Sequence, residues 1–365
     1  MEKVAEDSLS GPGVLEKYTA AGRVAQRVME ELLARLLPGA DVHELTRWGT
    51  ARITELCREH FPAKKMEKGV AFPVCVSPNH IVANFAPLCE ETLTLAAGDL
   101  AKVELGVHFD GFPVLLAHTA CVGPASPDDQ RLLSAGYCAL LGGVKALGAN
   151  LDCERVTRVQ EAVARAFNVS FLESSTTGEV RRYLPLGGQS VPSHLAPGTR
   201  AEHFQFRANE VYTVEALLSL APEESKARPA ELRTTVFRRS IEASGDPKTG
   251  AGRQFLREVR ERFSDLAFSL NAWEDELAAR VGSADCLNNR LIEPLPVCVE
   301  RSQARVAHFR WTVGVNAKRL LLLAAHAEPA LEGPTAPELG SEELQQLFAA
   351  SLESLTAKPA RPQPK

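Results

Sequence analysis

The same order of predicted secondary structure occurs twice in this chain, roughly a hundred residues apart. In the first stretch, two helices with apolar residues every three or four positions precede extended runs between residues 70 and 112. In the second, helices predicted from about Asp128 and about Val156 precede an extended stretch and an apolar strand over residues 210–220. The residues themselves do not repeat, so this order indicates an internal structural duplication within an α+β fold.

A β-hairpin is predicted in the first stretch. The runs AKVELGVH and PVLLAHTACV flank Phe109-Asp110-Gly111-Phe112, and Asp-Gly readily adopts the positive φ angles of a type I′ turn. Strands joined by such a turn are antiparallel, so the sheet is expected to be antiparallel at this point.

Three segments differ in composition from the folded domain that we predict over residues 13–330. Residues 1–12 are polar and acidic and are expected to be disordered. Residues from about 238 to 297 change to helix-forming and charged types, which predicts a helical insert. Residues 331–365 predict a tail with one short helix and a flexible, Pro-rich end.

The overall composition limits the classes of function. With a net charge of −5 the chain is not a polycation, so any nucleic-acid contact must come from a local patch. Its apolar runs are too short for a membrane span, so none is expected. The eight cysteines are scattered without a CxxC pair and are expected to be reduced core thiols in a cytosolic or nuclear compartment.

The best candidate for a nucleic-acid contact is the arginine-rich insert. A helix would bring three of its arginines to one face by their spacing of four and three. Interleaved glutamates leave open a solvated helix with ion pairs. The candidate binding residues are Arg238, Arg239, Arg253, Arg257 and Arg260.

The predicted tail helix contains a second candidate motif. Leu344, Leu347 and Phe348 have the spacing of a triplet that docks an amphipathic helix into a partner's groove. Packing against the chain's own domain is the alternative, and we favour it.

Five ordered segments resemble signature segments of type 2 methionine aminopeptidases, and more specifically the proliferation-associated protein 2G4 family, also called ErbB-3-binding proteins. They are KKMEKGVAFPVCVSPNHIVANFAPL, GDLAKVELGVHFDGFPVLLAHT, NEVYTVEALLS, RTTVFRR and ARVAHFRWTV. The resemblance implies the pita-bread fold, a curved antiparallel sheet flanked by helices. Its two pseudo-symmetric halves would cover about 13–125, and about 126–220 together with 300–325.

The enzymes of this fold hold two divalent ions with an Asp, Asp, His, Glu, Glu set. By resemblance, two of the five positions keep a carboxylate, and the substrate-orienting histidine is replaced as well. A leucine has no lone pair to give, and an arginine repels a dication. The resemblance therefore implies a metal-free pseudoenzyme without a cofactor. The degenerate positions are Asn84, Glu104, Leu115, Gly178, Glu215 and Arg310.

The same resemblance implies a growth- or translation-associated binding protein in the cytoplasm and in the nucleus or nucleolus. Its expected partners are RNA, the ribosome and regulatory proteins, and no small-molecule substrate is expected. Two alternatives stay open. One is an active or altered metallo-aminopeptidase, and the other is a diverged paralogue with protein partners only.

Overall fold

The computed structural model of the protein describes residues 6–62, 65–185, 187–195, 202–221, 225–243, 245–327 and 342–350. The predicted disorder of residues 1–12 does not hold for the described part of that segment. Leu9 is buried against Gly314, and its amide donates to Asn209 O at 2.9 Å. An apolar side chain that finds a site on the sheet orders the backbone around it.

Among the described residues, nine strands form one antiparallel sheet. In spatial order its main path is β1 (Lys68–Pro78), β3 (Leu100–Phe109), β4 (Phe112–Cys121), β14 (Val306–Val315), β8 (Val211–Ser219), β6 (Thr176–Val180) and β7 (Ser190–Pro192). In addition, β15 (Leu320–Ala324) pairs with β14, and β5 (Ser170–Phe171) pairs with β8. The predicted hairpin joins β3 and β4, with φ of 53° at Asp110 and 77° at Gly111, as a type I′ turn requires.

The two halves of the sheet meet between β4 and β14, where threonine hydroxyls take the place of ladder bonds. Thr119 Oγ1 donates to His308 O at 2.8 Å and accepts from His308 N at 2.7 Å. Thr312 Oγ1 does the same with the backbone of Leu115, at 2.8 Å in both directions. Each hydroxyl lies between the two strands and pairs with both the N–H and the C=O of one residue on the opposite strand. These backbone groups would otherwise lack a hydrogen-bond partner at the junction.

Four helices pack on one face of this sheet. They are α1 (Val14–Leu33), α2 (Val42–Glu59), α3 (Pro127–Ala146) and α4 (Glu154–Phe167). Gly136 and Gly143 of α3 lie so close to Phe309 and Val214 that a Cβ at either glycine would clash. Side chains alternate along a strand, so the neighbours of Phe309 and Val214 point to the opposite face. That opposite face carries the site.

The predicted insert contains strands as well as helices. In chain order its elements are β10 (Val236–Arg239), α5 (Gly250–Phe263), β11 (Ala267–Ser269), α6 (Glu276–Asn288) and β12 (Ile292–Leu295). The three strands form a small sheet in the order β11-β10-β12. A second small sheet, in the order β2-β13-β9, consists of β2 (Ile81–Ala83), β13 (Cys298–Glu300) and β9 (Ala227–Pro229). Short 3₁₀ helices cover Cys89–Glu91 and Leu270–Ala272.

Buried polar contacts fasten the insert to the first half of the domain. Asn271 Nδ2 donates to Thr46 Oγ1 at 2.9 Å, and His43 Nε2 lies 2.6 Å from Glu276 Oε1. Asn271 and Thr46 are fully buried, so breaking this bond would leave unpaired polar groups in the interior. The insert therefore has a fixed orientation on the domain.

The tail contributes one described helix, α7 (Glu342–Ala349), which packs on α3. The predicted flexible end of the tail lies outside the described residues. No helix in the described ranges combines the length and hydrophobicity that a membrane crossing requires.

Candidate functional site

A buried arginine lies between two buried glutamates on the face opposite the helices. Arg310 of β14 donates through Nη1 to Glu104 Oε1 and through Nη2 to Glu215 Oε1, the latter at 3.0 Å. Each of the three residues is only 5–6% exposed. One guanidinium therefore neutralises charge on two strands that belong to different halves of the sheet.

Strand register brings these three residues together. Arg310 is directly opposite Ala117 of β4 and directly opposite Glu215 of β8. Ala117 is in turn opposite Glu104 of β3, so all four residues lie in one row across the sheet. Residues paired across antiparallel strands point to the same face. The small side chain of Ala117 leaves the space that the guanidinium crosses.

His308 completes the cluster, and our sequence analysis did not identify it. Its Nε2 lies 2.7 Å from Glu215 Oε1, although outside hydrogen-bond geometry. The signal was present in the sequence, because His308 precedes Arg310 by two positions and a strand repeats its facing every two residues. Burial alone raises the pKa of Glu215, but the positive charge of Arg310 and the contact with His308 lower it to about 2.

Leu115 lies on the same face in a separate apolar cluster. It is fully buried and packs with Phe72 and Cys75 of β1 and with Val236 and Ala267 of the insert. The position that resembles a metal ligand thus holds an apolar contact between the sheet and the insert. Our sequence analysis identified the leucine but did not predict this packing partner.

Among the described residues, the guanidinium of Arg310 hydrogen-bonds to neither of the two remaining degenerate positions. Gly178 of β6 is opposite Thr213 of β8, and Thr213 Oγ1 donates to its carbonyl at 3.4 Å. Asn84 has a positive φ of 65° and donates through Nδ2 to Pro296 O at 2.9 Å. Asn84 therefore connects the chain after β2 to the end of the insert, and Gly178 serves as an ordinary sheet residue.

The residues present do not fit a two-metal centre. Such a centre needs several carboxylate or imidazole donors around each ion. Here one donor position is apolar, and the guanidinium already donates to the two carboxylates that remain. In the part of the chain that the structure describes, no group of three or more His, Cys, Asp or Glu side chains could hold a metal ion.

The arginines predicted to contact nucleic acid divide into two sets. Arg238 and Arg239 of β10 form ion pairs with Glu293 and Asp265. The other three lie exposed on α5: Arg253, Arg257 and Arg260. Of these, Arg253 donates to the carbonyls of Pro247 and Lys248. The α5 arginines therefore present cations to solvent, whereas Arg238 and Arg239 are paired within the insert.

The motif of the tail helix packs against the chain's own domain. Leu347 and Phe348 are partly buried against the main core, and Phe348 lies over Gly142 of α3. The side chain of Leu344, the third member of the motif, lies outside the described set.

Comparison with known proteins gives one family. The model of metallopeptidase family M24 matches residues 16–231. Proliferation-associated protein A of Dictyostelium discoideum is 30% identical over 316 residues, covering 85% of this chain and 81% of that protein. ErbB-3 binding protein 1 of Solanum tuberosum is 29% identical, covering 84% of this chain and 80% of that protein. Curved DNA-binding protein of Schizosaccharomyces pombe is 26% identical, covering 88% and 86%.

Solved structures give the same fold. A thermophilic Arx1 superposes with a TM-score of 0.81 at 22% identity, covering 94% of this chain and 99% of that one. A methionine aminopeptidase of Thermotoga maritima superposes with a TM-score of 0.59 at 15% identity, covering 87% and 98%. The predicted pita-bread fold is therefore confirmed.

Proposed function

This chain belongs to metallopeptidase family M24, within the proliferation-associated and ErbB-3-binding proteins, and from that membership we propose that it is a non-catalytic, metal-free binding protein. The observation that carries the proposal is the position of Arg310 between Glu104 and Glu215. A permanent cation there neutralises the buried carboxylates, as a divalent ion would. A guanidinium, unlike a metal ion, cannot activate a water molecule for hydrolysis.

Two measurements on the purified protein test the absence of catalysis. Elemental analysis after incubation with Mn²⁺, Co²⁺, Fe²⁺ or Zn²⁺ should give far less than one equivalent of metal. Peptides that begin with methionine should release no free methionine in the presence of these ions. Bound metal that disappears in Glu215→Ala, together with methionine release, would establish the alternative of an active or altered aminopeptidase.

For partners, we propose RNA or the ribosome, with the exposed arginines of α5 as the contact. Support comes from the family resemblance to growth- and translation-associated proteins, and from a relative that is named a curved DNA-binding protein. Arg253, Arg257 and Arg260 point to solvent from one helix of a firmly docked insert, so a phosphate backbone would meet a preformed row of cations. This role fits a protein of the cytoplasm and of the nucleus or nucleolus.

Affinity capture from lysate, with and without RNase, tests this partner class. Recovery of ribosomal RNA that RNase abolishes would support it. Recovery of the same proteins irrespective of RNase would instead favour the paralogue with protein partners only, which the net charge of −5 also favours. Microscopy of a fluorescent fusion tests the nuclear and nucleolar part of the proposal.

A further inference from the structure

The large apolar residues of α6 point to solvent, and its small residues point inward. The buried residues of this helix are Ala279, Gly282, Ser283 and Cys286. The other side, which we call the outer stripe, consists of the exposed residues Leu277, Val281, Ala284 and Leu287. The three large ones are 66%, 56% and 39% exposed in chain order. The apolar side of a helix usually faces a core, so an apolar stripe that faces solvent indicates an interface.

The charged side chains of α6 are all held by partners within the protein. Glu276 lies 2.6 Å from His43 Nε2 at the start of the helix. Arg280 pairs with Glu90, and Asp285 accepts a hydrogen bond from Thr249 Oγ1 at 2.7 Å. None of these charges needs an external partner, so the outer stripe fits a surface that is itself apolar along its length.

The two ends of the outer stripe carry opposite charges. Glu274 lies just before α6 and Arg290 just after it, and both side chains are exposed. Neither forms an ion pair with another residue of the described ranges. A complementary surface is therefore apolar in its middle, basic at the end that meets Glu274 and acidic at the end that meets Arg290. The outer stripe of a second copy of this chain, in the reverse direction, has this composition.

We propose that the outer stripe is the interface of a reversible homodimer, in which α6 packs antiparallel against α6 of a second copy. In a twofold-symmetric pair, residues at equal distances before and after the axis lie opposite each other. An axis at the level of residue 282 places Leu277 opposite Leu287, and the same axis places Glu274 opposite Arg290. Val281 lies next to this axis and contacts its own counterpart. The dimer removes the three large apolar side chains of both copies from water and forms two ion pairs.

The size of the interface sets the strength of the dimer. α6 has 13 residues, which at 1.5 Å per residue give a helix about 20 Å long. Contact between two such helices covers less than the about 800 Å² per partner of a standard interface. We therefore expect a dissociation constant of about 10–100 µM. The interface uses neither the Arg310 cluster nor the arginines of α5, so its failure would leave the proposed function unaffected.

Sedimentation velocity of the full chain between about 1 and 200 µM tests the proposal. The wild type should change from monomer toward dimer across this range. Leu287→Glu should weaken the dimer at least about tenfold, because it places a charge opposite Leu277 at two symmetric positions. Leu15→Glu is the matched control, since Leu15 is a leucine of α1 that is 41% exposed, against 39% for Leu287. This control should dimerise as the wild type does.

A charge exchange tests the antiparallel arrangement by itself. Glu274→Arg and Arg290→Glu should each weaken the dimer about fivefold, because each places like charges together twice. The double variant Glu274→Arg/Arg290→Glu restores opposite charges and should dimerise about as tightly as the wild type. Thermal melting verifies that each variant is folded. A wild type that stays monomeric at about 200 µM, a Leu15→Glu variant as weak as Leu287→Glu, or a double variant no tighter than either single one would overturn the proposal.

Discussion

Arg310 and Glu215 face each other on neighbouring strands, and Nη2 of the arginine donates to Oε1 of the glutamate at 3.0 Å. The other terminal nitrogen of the same guanidinium donates to Glu104, on the far side of the junction between the two halves of the sheet. The planar fork of arginine suits two acceptors at once. The cluster therefore balances buried charges across the junction, and its removal should lower the free energy of unfolding.

We expect Arg310→Ala to lower the free energy of unfolding by about 3–5 kcal/mol, because it leaves two buried carboxylates without their shared counter-charge. Urea denaturation at neutral pH measures the change. Arg257→Ala removes an exposed arginine and serves as the matched control, with an expected change within about 0.5 kcal/mol. Equal losses in the two variants would show that the Arg310 cluster does not stabilise the fold.

Divalent metal provides a second comparison on the same proteins. A ligand that binds only the native state raises the melting temperature by mass action. We expect Mn²⁺ or Co²⁺ to leave the melting temperature of the wild type unchanged, because the guanidinium occupies both carboxylates. A rise of several degrees in the wild type, lost in Glu215→Ala, would contradict the charge-balance account.

Stability should fall in two acid stages with different origins. Burial, together with the neighbouring His326, lowers the pKa of His118 to about 3, so the unfolded chain takes up a proton below about pH 6.5 that the folded chain refuses. Glu215, with its pKa lowered to about 2, stabilises the fold above about pH 4.5 and loses that contribution as the pH falls toward 2. His118→Asn should reduce the decline between about pH 6.5 and 3 but not abolish it, because burial also lowers the pKa of His108 to about 4. Glu215→Gln should reduce only the part below about pH 4.5.

Unfolding free energies from pH 7 to pH 3 check these slopes. His203→Asn changes an exposed histidine and should leave the upper stage as it is in the wild type. If His118→Asn kept the wild-type slope above pH 4.5, the decline there would have another origin.

Leu115→Asp restores the acidic residue that the enzymes of this fold carry, yet we expect it to destabilise the protein without creating a metal site. The carboxylate would enter an apolar cluster that includes Phe72, Val236 and Ala267. A buried, unpaired charge costs several kcal/mol, and the guanidinium of Arg310 still repels a dication. Thermal unfolding and metal analysis of the purified variant measure the two effects.

Leu115→Asn is the matched control, because it has the same shape without the charge. It should be less destabilising than Leu115→Asp at neutral pH, and the gap should close at acid pH as the aspartate takes up a proton. Stoichiometric metal in Leu115→Asp would contradict the reading that Arg310 blocks the site.

The sequence predicted local features of the fold better than the packing between residues that are distant along the chain. The hairpin at Asp110-Gly111 follows from turn chemistry that is local, and the resemblance supplied the positions of Glu104, Glu215 and Arg310. His308 could have been identified by applying the two-residue period of a strand to Arg310. The packing of Leu115 against Val236 joins residues over a hundred positions apart, and such distant packing leaves no signal in local patterns.

The insert shows the same limit. Its charged composition predicted helices, and α5 and α6 are there, but β10, β11 and β12 were not expected. These strands have three or four residues each, too few for a period of two to stand out. Likewise, the disorder predicted for residues 1–12 overlooked a single leucine at position 9 that packs against the sheet at Gly314.

The last prediction concerns the arginines of α5, which carry the proposed RNA contact. Each phosphate contact adds about 0.9 to the slope of log affinity against log salt concentration for a duplex. Charge reversal of Arg253, Arg257 and Arg260 together should weaken binding to ribosomal RNA and reduce that slope by about 2–3. Filter binding over a range of salt concentrations measures both quantities.

A matched control reverses the same number of exposed cations outside the insert, at Arg207, Lys318 and Arg319. This control changes the net charge by the same amount as the α5 variant. A difference in RNA affinity between the two triple variants therefore shows where the RNA binds and is not an effect of net charge. Deletion of residues 356–365 should leave binding nearly unchanged, since that segment offers only three cations. If the control or the deletion weakened RNA binding as much as the α5 variant does, the contact would lie outside α5. If the wild type bound no RNA at low salt, the role with protein partners only would be favoured instead.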